Sequence, residues 1–223
     1  MNIAIDGPAG AGKSTVAQQV AAKLGYLYID TGSMYRALAW AVHHYELPVE
    51  NEEAVARLLQ ENTIRLEREQ GEQRVYWNDI DVTRLIRTPE VSEYASIVAS
   101  YASVREQMLG LQRAMATRGN VVMDGRDIGT HVLPDAEVKI FLTASIQERA
   151  RRRWNELRAK GNDPQLSDME KEIAERDHRD MNREVAPLRQ AEDAVLVDTT
   201  GSSIEQVVDR ILQICDRTGE SKQ

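Results

Sequence analysis

An α/β fold, built on a parallel sheet of five strands flanked by helices, is predicted by three observations. Five short apolar runs of strand length recur along the chain: Ile3-Ala4-Ile5, Tyr26 to Ile29, Val121-Val122-Met123, Val138 to Leu142 and Val195-Leu196-Val197. Runs that are apolar throughout, without alternation, belong to strands buried on both faces, and helices on either side of a parallel sheet create that environment. Helical stretches separate these runs, and a glycine-rich segment joins the first run to the first helix. Between the second and third runs the period changes to two, over Ile64-Arg65-Leu66 and Val75 to Val82 around Gly71. That alternation predicts an antiparallel hairpin with one wet face, inserted into the parallel core.

The elements follow in order. A helix opens at Lys13, buries Val16, Val20 and Leu24, and stops at Gly25. A second runs from Met34 to His44. After the hairpin, Thr88 caps and Pro89 opens a long helical region that breaks near Ser100, continues to Thr117 and closes at Gly119. Ser145 with Glu148, and Ser202 with Glu205, form S-x-x-E capping boxes that open the helices after the fourth and fifth strands. The last helix carries Ile204, Val207, Val208, Ile211, Leu212 and Cys215 as one stripe, and Thr218 to Gln223 read as a loose tail.

Composition excludes several classes of function. The 223 residues suffice for a sizeable core in one or two domains. A formal net charge of −8 argues against nucleic-acid binding, which calls for a basic surface. Positive charge is nevertheless unevenly placed: 22 of the 28 basic residues are arginines, nine of them between Arg149 and Arg189. Arginine suits bidentate capture of phosphate, although most of this set reads as the solvated face of long helices. Cys215 is the sole cysteine, which precludes a disulfide framework and suggests a packing role. His43, His44, His131 and His178 lack metal-ligand spacing. No apolar stretch approaches the length of a membrane span, and the chain starts directly in a strand, so a soluble cytoplasmic protein is expected.

The segment after the first strand carries the chemistry. Gly7-Pro8-Ala9-Gly10-Ala11-Gly12-Lys13-Ser14-Thr15 fits G-x-x-x-x-G-K-[ST]. Glycines allow the backbone to curl into a ring of N–H groups around anionic oxygens, and the following helix adds its N-terminal dipole. Lys13 would reach the β/γ-phosphates of a nucleoside triphosphate and the Ser14 hydroxyl would reach Mg²⁺. This loop names a donor but not a reaction, since kinases, GTPases and ATPases share it.

Three further groups bear on the acceptor. Asp30-Thr31-Gly32-Ser33-Met34-Tyr35-Arg36 ends the second strand, where ligands of open α/β sheets lie. Asp124-Gly125-Arg126-Asp127 ends the third core strand, and Asp124 could serve Mg²⁺ directly or through water. In Glu175 to Arg183, the residues Arg176, Arg179, Asp180 and Arg183 fall at i, i+3, i+4 and i+7 and share one helix face. Alone, the first two groups also read as Asp/Gly turns and the third as a salt-bridged exposed stripe.

With these motifs together, including Asp124-Gly125-Arg126-Asp127-Ile128-Gly129-Thr130 and the run from Arg176 to Arg183 before Ala186-Pro187-Leu188, the chain resembles the bacterial cytidylate kinases over nearly its whole length. That resemblance implies transfer of the γ-phosphoryl group of ATP to CMP or dCMP with Mg²⁺, on a P-loop kinase core with a small inserted NMP-binding domain and a helical lid. It places the core at 1–62, 104–148 and 184–223, the insertion at 63–103, and the lid with its basic helix at 149–183. It implies ATP contacts from Gly7, Pro8, Ala9, Gly10, Ala11, Gly12, Lys13, Ser14 and Thr15. Arg36 and Arg126 fall on the acceptor phosphate, with Thr31, Tyr35, Arg176 and Asp180 nearby, and Ser96, Arg105 and Asp127 on the base beside Arg183. Lys13, Arg126, Arg176 and one lid arginine would be catalytic, taken as Arg153 from among Arg149, Arg151, Arg152 and Arg153, since a run of neighbours cannot all face inward on a helix.

A physical check supports the base assignment: a carboxylate suits the exocyclic amino group of cytosine and a guanidinium its ring N3 and O2 acceptors. Asp127 and Arg105 supply one of each, so CMP is expected to be preferred over UMP. A monomer is expected, with ATP and the monophosphate as partners. The alternatives are a kinase for another small acceptor and a nucleotide-dependent switch that hydrolyses without one.

Overall fold

A computed structural model describes all residues except 70, 71, 118, 160 and 221–223; the Gly71 turn of the expected hairpin and the end of the expected tail therefore lie outside the described residues. The chain divides into two compact units, Met1–Tyr28 with Gly119–Gln223, and Ile29–Arg118.

The first unit is built on the expected five-stranded sheet. Its strands are β1 (Asn2–Asp6), β2 (Leu27–Asp30, which leads into the second unit), β6 (Val121–Gly125), β7 (Val138–Thr143) and β8 (Val195–Asp198), in the order β2-β6-β1-β7-β8. β1 lies at the centre, parallel to β6 and β7, with Ile5 opposite Asp124 and Asp6 opposite Gly125. This register brings the carboxyl ends of β1 and β6 side by side, and it follows from two apolar runs each ending in Asp-Gly. Ile3, Ile5, Val122, Ile140 and Leu142 are fully or almost fully buried. They pack with Val16 and Val20 of α1 (Lys13–Leu24) and with Val208 and Ile211 of α8 (Ile204–Glu220). Fully burying each of these side chains contributes about 2 kcal/mol.

Two further helices, α6 (Ile146–Ala159) and α7 (Leu166–Asn182), pack on one another through Ala150, Met169 and Ile173, with Trp154 and Leu157 at the margin. The charged face expected from Arg176 to Arg183 is not uniformly exposed. The inward positions of α7 are Met169, Ile173, Asp177 and Asp180, whereas Arg179 is exposed and Arg176 half-buried. Apolar Met169 and Ile173 set the face, and helical spacing then carries the two aspartates inward.

The second unit holds α2 (Thr31–His44), α3 (Glu52–Gln60), the strands β3 (Ile64–Glu69), β4 (Glu72–Trp77) and β5 (Ile80–Asp81), then α4 (Pro89–Val98) and α5 (Ala102–Ala116). Its sheet is antiparallel in the order β3-β4-β5. α2 is its central helix, buried at every position from Ala37 to Val42, and its three alanines let α4 approach closely.

Several boundaries depart from expectation for local reasons. α2 starts at Thr31, three residues before Met34, because the Asp30 carboxylate caps it by accepting the Ser33 N–H at 2.9 Å. The alternation from Val75 to Val82 is two strands, because Asn78 turns the chain at φ 52°. The last helix is capped one residue later than expected: Ser203 Oγ accepts the Gln206 N–H and Gln206 Oε1 accepts the Ser203 N–H, so the box is Ser203 with Gln206. Ser145 does accept the Glu148 N–H, but the Glu148 carboxylate turns to Arg151 and Arg152. α8 continues to Glu220 into the expected tail. Among the described residues no helix is long and apolar enough to cross a membrane.

Candidate functional site

In the first unit the loop from Gly7 to Thr15 follows β1 directly and opens α1. Gly7, Gly10 and Gly12 take φ of 147°, 76° and 87°. At Gly7 a Cβ would lie 2.0 Å from the Leu142 carbonyl oxygen, so close backbone approach to β7 demands glycine there. Gly12 stands at the N-cap of α1 without a side-chain cap, which leaves the orphan N–H donors of the first turn for an anion. Lys13 is buried, and its Nζ donates to the Pro8 carbonyl at 2.8 Å. Burial, aided by the positive charge of Arg126, holds its pKa well below the ordinary lysine value; Asp124 acts in the opposite sense.

Beside the loop, Asp124 at the end of β6 is buried and accepts hydrogen bonds from Ser14 Oγ at 3.0 Å and from the Tyr28 hydroxyl at 2.9 Å. Exposed Ser14 and this carboxylate form a pair of hard oxygen ligands next to a phosphate loop. Mg²⁺ takes few protein ligands and completes its shell with phosphate oxygens and water, so the pair fits that ion. Asp6, the residue before the loop, accepts the N–H groups of Ile128 and Gly129 at 2.8 and 2.7 Å. Burial pushes its carboxyl up to about 7, although those two bonds pull it down.

The Arg-Asp segments meet in pairs. Arg126 Nε donates to Asp180 Oδ2 at 2.9 Å. Arg183 donates from its Nη2 to Asp127 Oδ1 at 3.2 Å and from its Nε to the Ala186 carbonyl at 2.7 Å. Burial raises the Asp180 carboxyl, but Arg126 and Arg176 outweigh it and hold the group below the ordinary carboxylate value. Lys13, Arg126, Asp127, Arg176, Asp180 and Arg183 are thus gathered within one unit.

The arginines of α6 divide by role. Arg149 is buried: it donates to both oxygens of Asp177 at 3.0 and 2.6 Å, to the Ala9 carbonyl of the loop at 3.0 Å and to Ala144 at 3.0 Å. Arg152 reaches Thr199 and comes to 3.7 Å from where a Cβ on Gly12 would stand. Arg153, the lid arginine expected to be catalytic, instead pairs with Glu156 at 3.4 Å. Sequence reasoning missed Asp6 and Asp177, and it counted Arg149 and Arg152 among the lid candidates but took Arg153. The position of Asp6 between strand and loop was a usable signal, but nothing local announces that Arg149 pairs with a residue 28 positions away.

In the second unit Arg36 donates to Asp30 Oδ2 at 2.8 Å, while its buried Nε finds no hydrogen-bond partner among the described residues. An anion is the natural partner for such a half-satisfied guanidinium. Gln73 of β4 accepts the Asp30 N–H at 3.2 Å and so ties the small sheet to the start of α2. Buried Arg105 donates to the Ala99 carbonyl at 3.1 Å and stands 5.6 Å from the Tyr35 ring, a cation–π distance. Ser96 and Thr31 are buried.

A parallel sheet carrying this loop, with a hydroxyl and a carboxylate placed for Mg²⁺ and arginines behind them, defines a P-loop phosphotransferase. The solved structures agree on the fold. One is an uncharacterized protein from Eubacterium ventriosum at TM-score 0.53 and 12% identity, covering 97% of this chain and 98% of that one. Another is shikimate kinase from Bacteroides thetaiotaomicron at TM-score 0.50 and 14% identity, covering 97% and 98%. The particular family comes from sequence. The cytidylate kinase family model matches residues 3–217. Cytidylate kinase from Geobacillus sp. (strain WCH70) is 55% identical over 96% of both chains, and that from Desulfitobacterium hafniense (strain Y51) is 52% identical over 96% of this chain and 92% of its own. The chain belongs to the cytidylate kinase family.

Proposed function

We propose that the chain transfers the γ-phosphoryl group of ATP to CMP or dCMP, giving ADP and CDP or dCDP. The observation that carries this reading is the gathering of Lys13, Arg126, Arg176 and Asp180 beside the Gly7–Thr15 loop in a chain of this family. The nucleophile is a phosphate oxygen already anionic near neutral pH, so the site needs positioning and charge neutralisation, not a strong base. The loop cradles the donor phosphates, and Lys13 exchanges the Pro8 carbonyl for a phosphate oxygen. Ser14, with Asp124 directly or through water, would hold Mg²⁺, which would supply neutralisation of the charge that develops on the phosphates. The 149–183 segment acts as a lid that excludes water, which would otherwise compete for the phosphoryl group. Arg149 and Arg152 are better placed against the loop than Arg153, which would have to leave Glu156 to take part.

Acceptor recognition falls to groups in each unit. The segment around 63–103 contributes Ser96 with the neighbouring Arg105 toward the base, and Arg36, Thr31 and Tyr35 serve the phosphate end. In the other unit Arg126 takes the acceptor phosphate, Arg176 and Asp180 lie near phosphate and sugar, and Asp127 accepts from the cytosine amino group. Arg126 pairs with Asp180 through its Nε and Asp127 with Arg183 through its Oδ1, so the Nη groups and the second carboxylate oxygen are the atoms assigned to substrate. The reading extends to a monomer working in the cytoplasm.

Sites built on such hydrogen bonds discriminate by up to about 10⁴-fold. Uracil sets its O4 against the carboxylate, so CMP is favoured. Asp127→Ala is expected to lower the CMP-to-UMP ratio of kcat/KM at least tenfold; an unchanged ratio in a folded variant refutes the assignment.

A further inference from the structure

Asp6 ends the central strand and is buried between two pieces of machinery without belonging to either. Glycine Gly7 of the phosphate loop follows it directly. Its two carboxylate oxygens are spent on consecutive backbone N–H groups, those of Ile128 and Gly129, at 2.8 and 2.7 Å. These residues begin a π-helical turn, Ile128–Val132, which is closed by the His131 and Val132 N–H groups donating to the Asp127 carbonyl. The carboxylate therefore holds the start of the turn, accepting N–H groups that are not among those closing it. Gly129 lies close against both neighbours: a Cβ there would stand 3.4 Å from Asp6 Oδ2, an ordinary contact, and 3.2 Å from Lys139 Cδ. The charge of Lys139 is directed elsewhere, to both oxygens of Asp193.

The turn matters because of what precedes it. Arg126 and Asp127 lie in the two residues between β6 and this turn, so their backbone has β6 on one side and the gripped turn on the other. We propose that Asp6 is a positioning residue for the acceptor: by fixing Ile128 and Gly129 it sets the direction of Arg126 and Asp127, and it does so from the strand that also launches the donor loop. The inference rests on the acceptor roles of Arg126 and Asp127 proposed above. It assigns Asp6 a selective effect. The acceptor should feel its loss, whereas the donor loop keeps its own glycine geometry and its contact with β7.

The test is steady-state kinetics of Asp6→Asn with each substrate varied in turn. An amide keeps the shape but offers one acceptor oxygen and turns its NH₂ against the second N–H, so the turn is released at one point. Displacing a positioned group by a fraction of an ångström costs about tenfold or more. The KM for CMP is expected to rise about tenfold while the KM for ATP stays within about twofold. Both constants unchanged, or both raised in the same proportion, overturn the proposal. Should Asp6→Asn fail to fold, Asp6→Ser removes the two-oxygen grip without adding bulk and must show the same CMP-selective rise; wild-type constants in that variant overturn it. The wild-type protein in the same assay tests the parent reading separately. If it forms no CDP, amide exchange of Ile128 and Gly129 in the variant decides the role of Asp6, and undiminished protection refutes it.

Discussion

The Arg149–Asp177 pair offers the most quantitative prediction. Both side chains are at least nine-tenths buried, their bond is bidentate, and the same guanidinium holds the Ala9 carbonyl of the phosphate loop. Removing one partner of a buried ion pair leaves the other charged and desolvated, which costs about 3–5 kcal/mol. For a chain of this size each kcal/mol lowers the melting temperature by about 2–4 °C. Asp177→Ala should therefore melt about 10 °C below wild type in calorimetry or circular dichroism. Glu156→Ala, which removes an exposed pair with Arg153, should melt within about 4 °C of it, because such pairs contribute at most about 1 kcal/mol. The double variant Asp177→Ala with Arg149→Met, which leaves no orphan charge, should recover part of the loss. The KM for ATP should also rise in Asp177→Ala as Ala9 loses its brace. An Asp177→Ala protein that melts with wild type and binds ATP normally would show that the pair neither supports the fold nor braces the loop.

Two predictions concern buried charges at the loop. Lys13→Met should lower kcat by at least about 10²-fold. It should melt no lower than wild type, because burial of this ammonium already opposes its charged form; near-normal turnover would remove Lys13 from the mechanism. Asp6 works with the opposite sign to a salt-bridged carboxylate. Its folded pKa of about 7 exceeds the ordinary 3.8, so between those values the folded state holds a proton that the unfolded state lacks. Its contribution to stability is fully present below the lower value and is lost as pH rises through the upper one, up to about 4 kcal/mol in all. Melting curves of wild type and Asp6→Asn from pH 4.5 to 8 should show the extra acid-side stability in wild type alone; parallel curves would refute it.

What the sequence disclosed and what it hid follow from range. The strand, loop and helix from Asn2 to Leu24 were legible because glycine spacing, the apolar run and the Gly25 stop are local signals. The same holds for Thr88 and Pro89, which do open α4. α3 was missed because nine residues flanked by Asn51 and Glu61 carry only two buried positions, Val55 and Leu59. The π-helical turn at Ile128 escaped because Asp6, the side chain that holds its first two N–H groups, lies more than 120 residues earlier. The inward face of α7 was not legible for a related reason: charge spacing marks a stripe, but the direction the helix faces is decided by Met169 and Ile173 packing on α6. The motifs supplied Arg126, Asp127, Asp180 and Arg183 as candidates, whereas only the folded chain shows that Arg126 pairs with Asp180 and Arg183 with Asp127.

The central claim is phosphoryl transfer to a cytidine monophosphate. The measurement that meets it most directly is a panel of CMP, dCMP, UMP and AMP incubated with Mg-ATP, with nucleotide products separated and counted. ADP forming in equal amount with CDP or dCDP, and far more slowly with UMP or AMP, is the predicted result. Release of inorganic phosphate independent of any acceptor, or faster diphosphate formation from UMP or AMP than from either cytidine nucleotide, would contradict it.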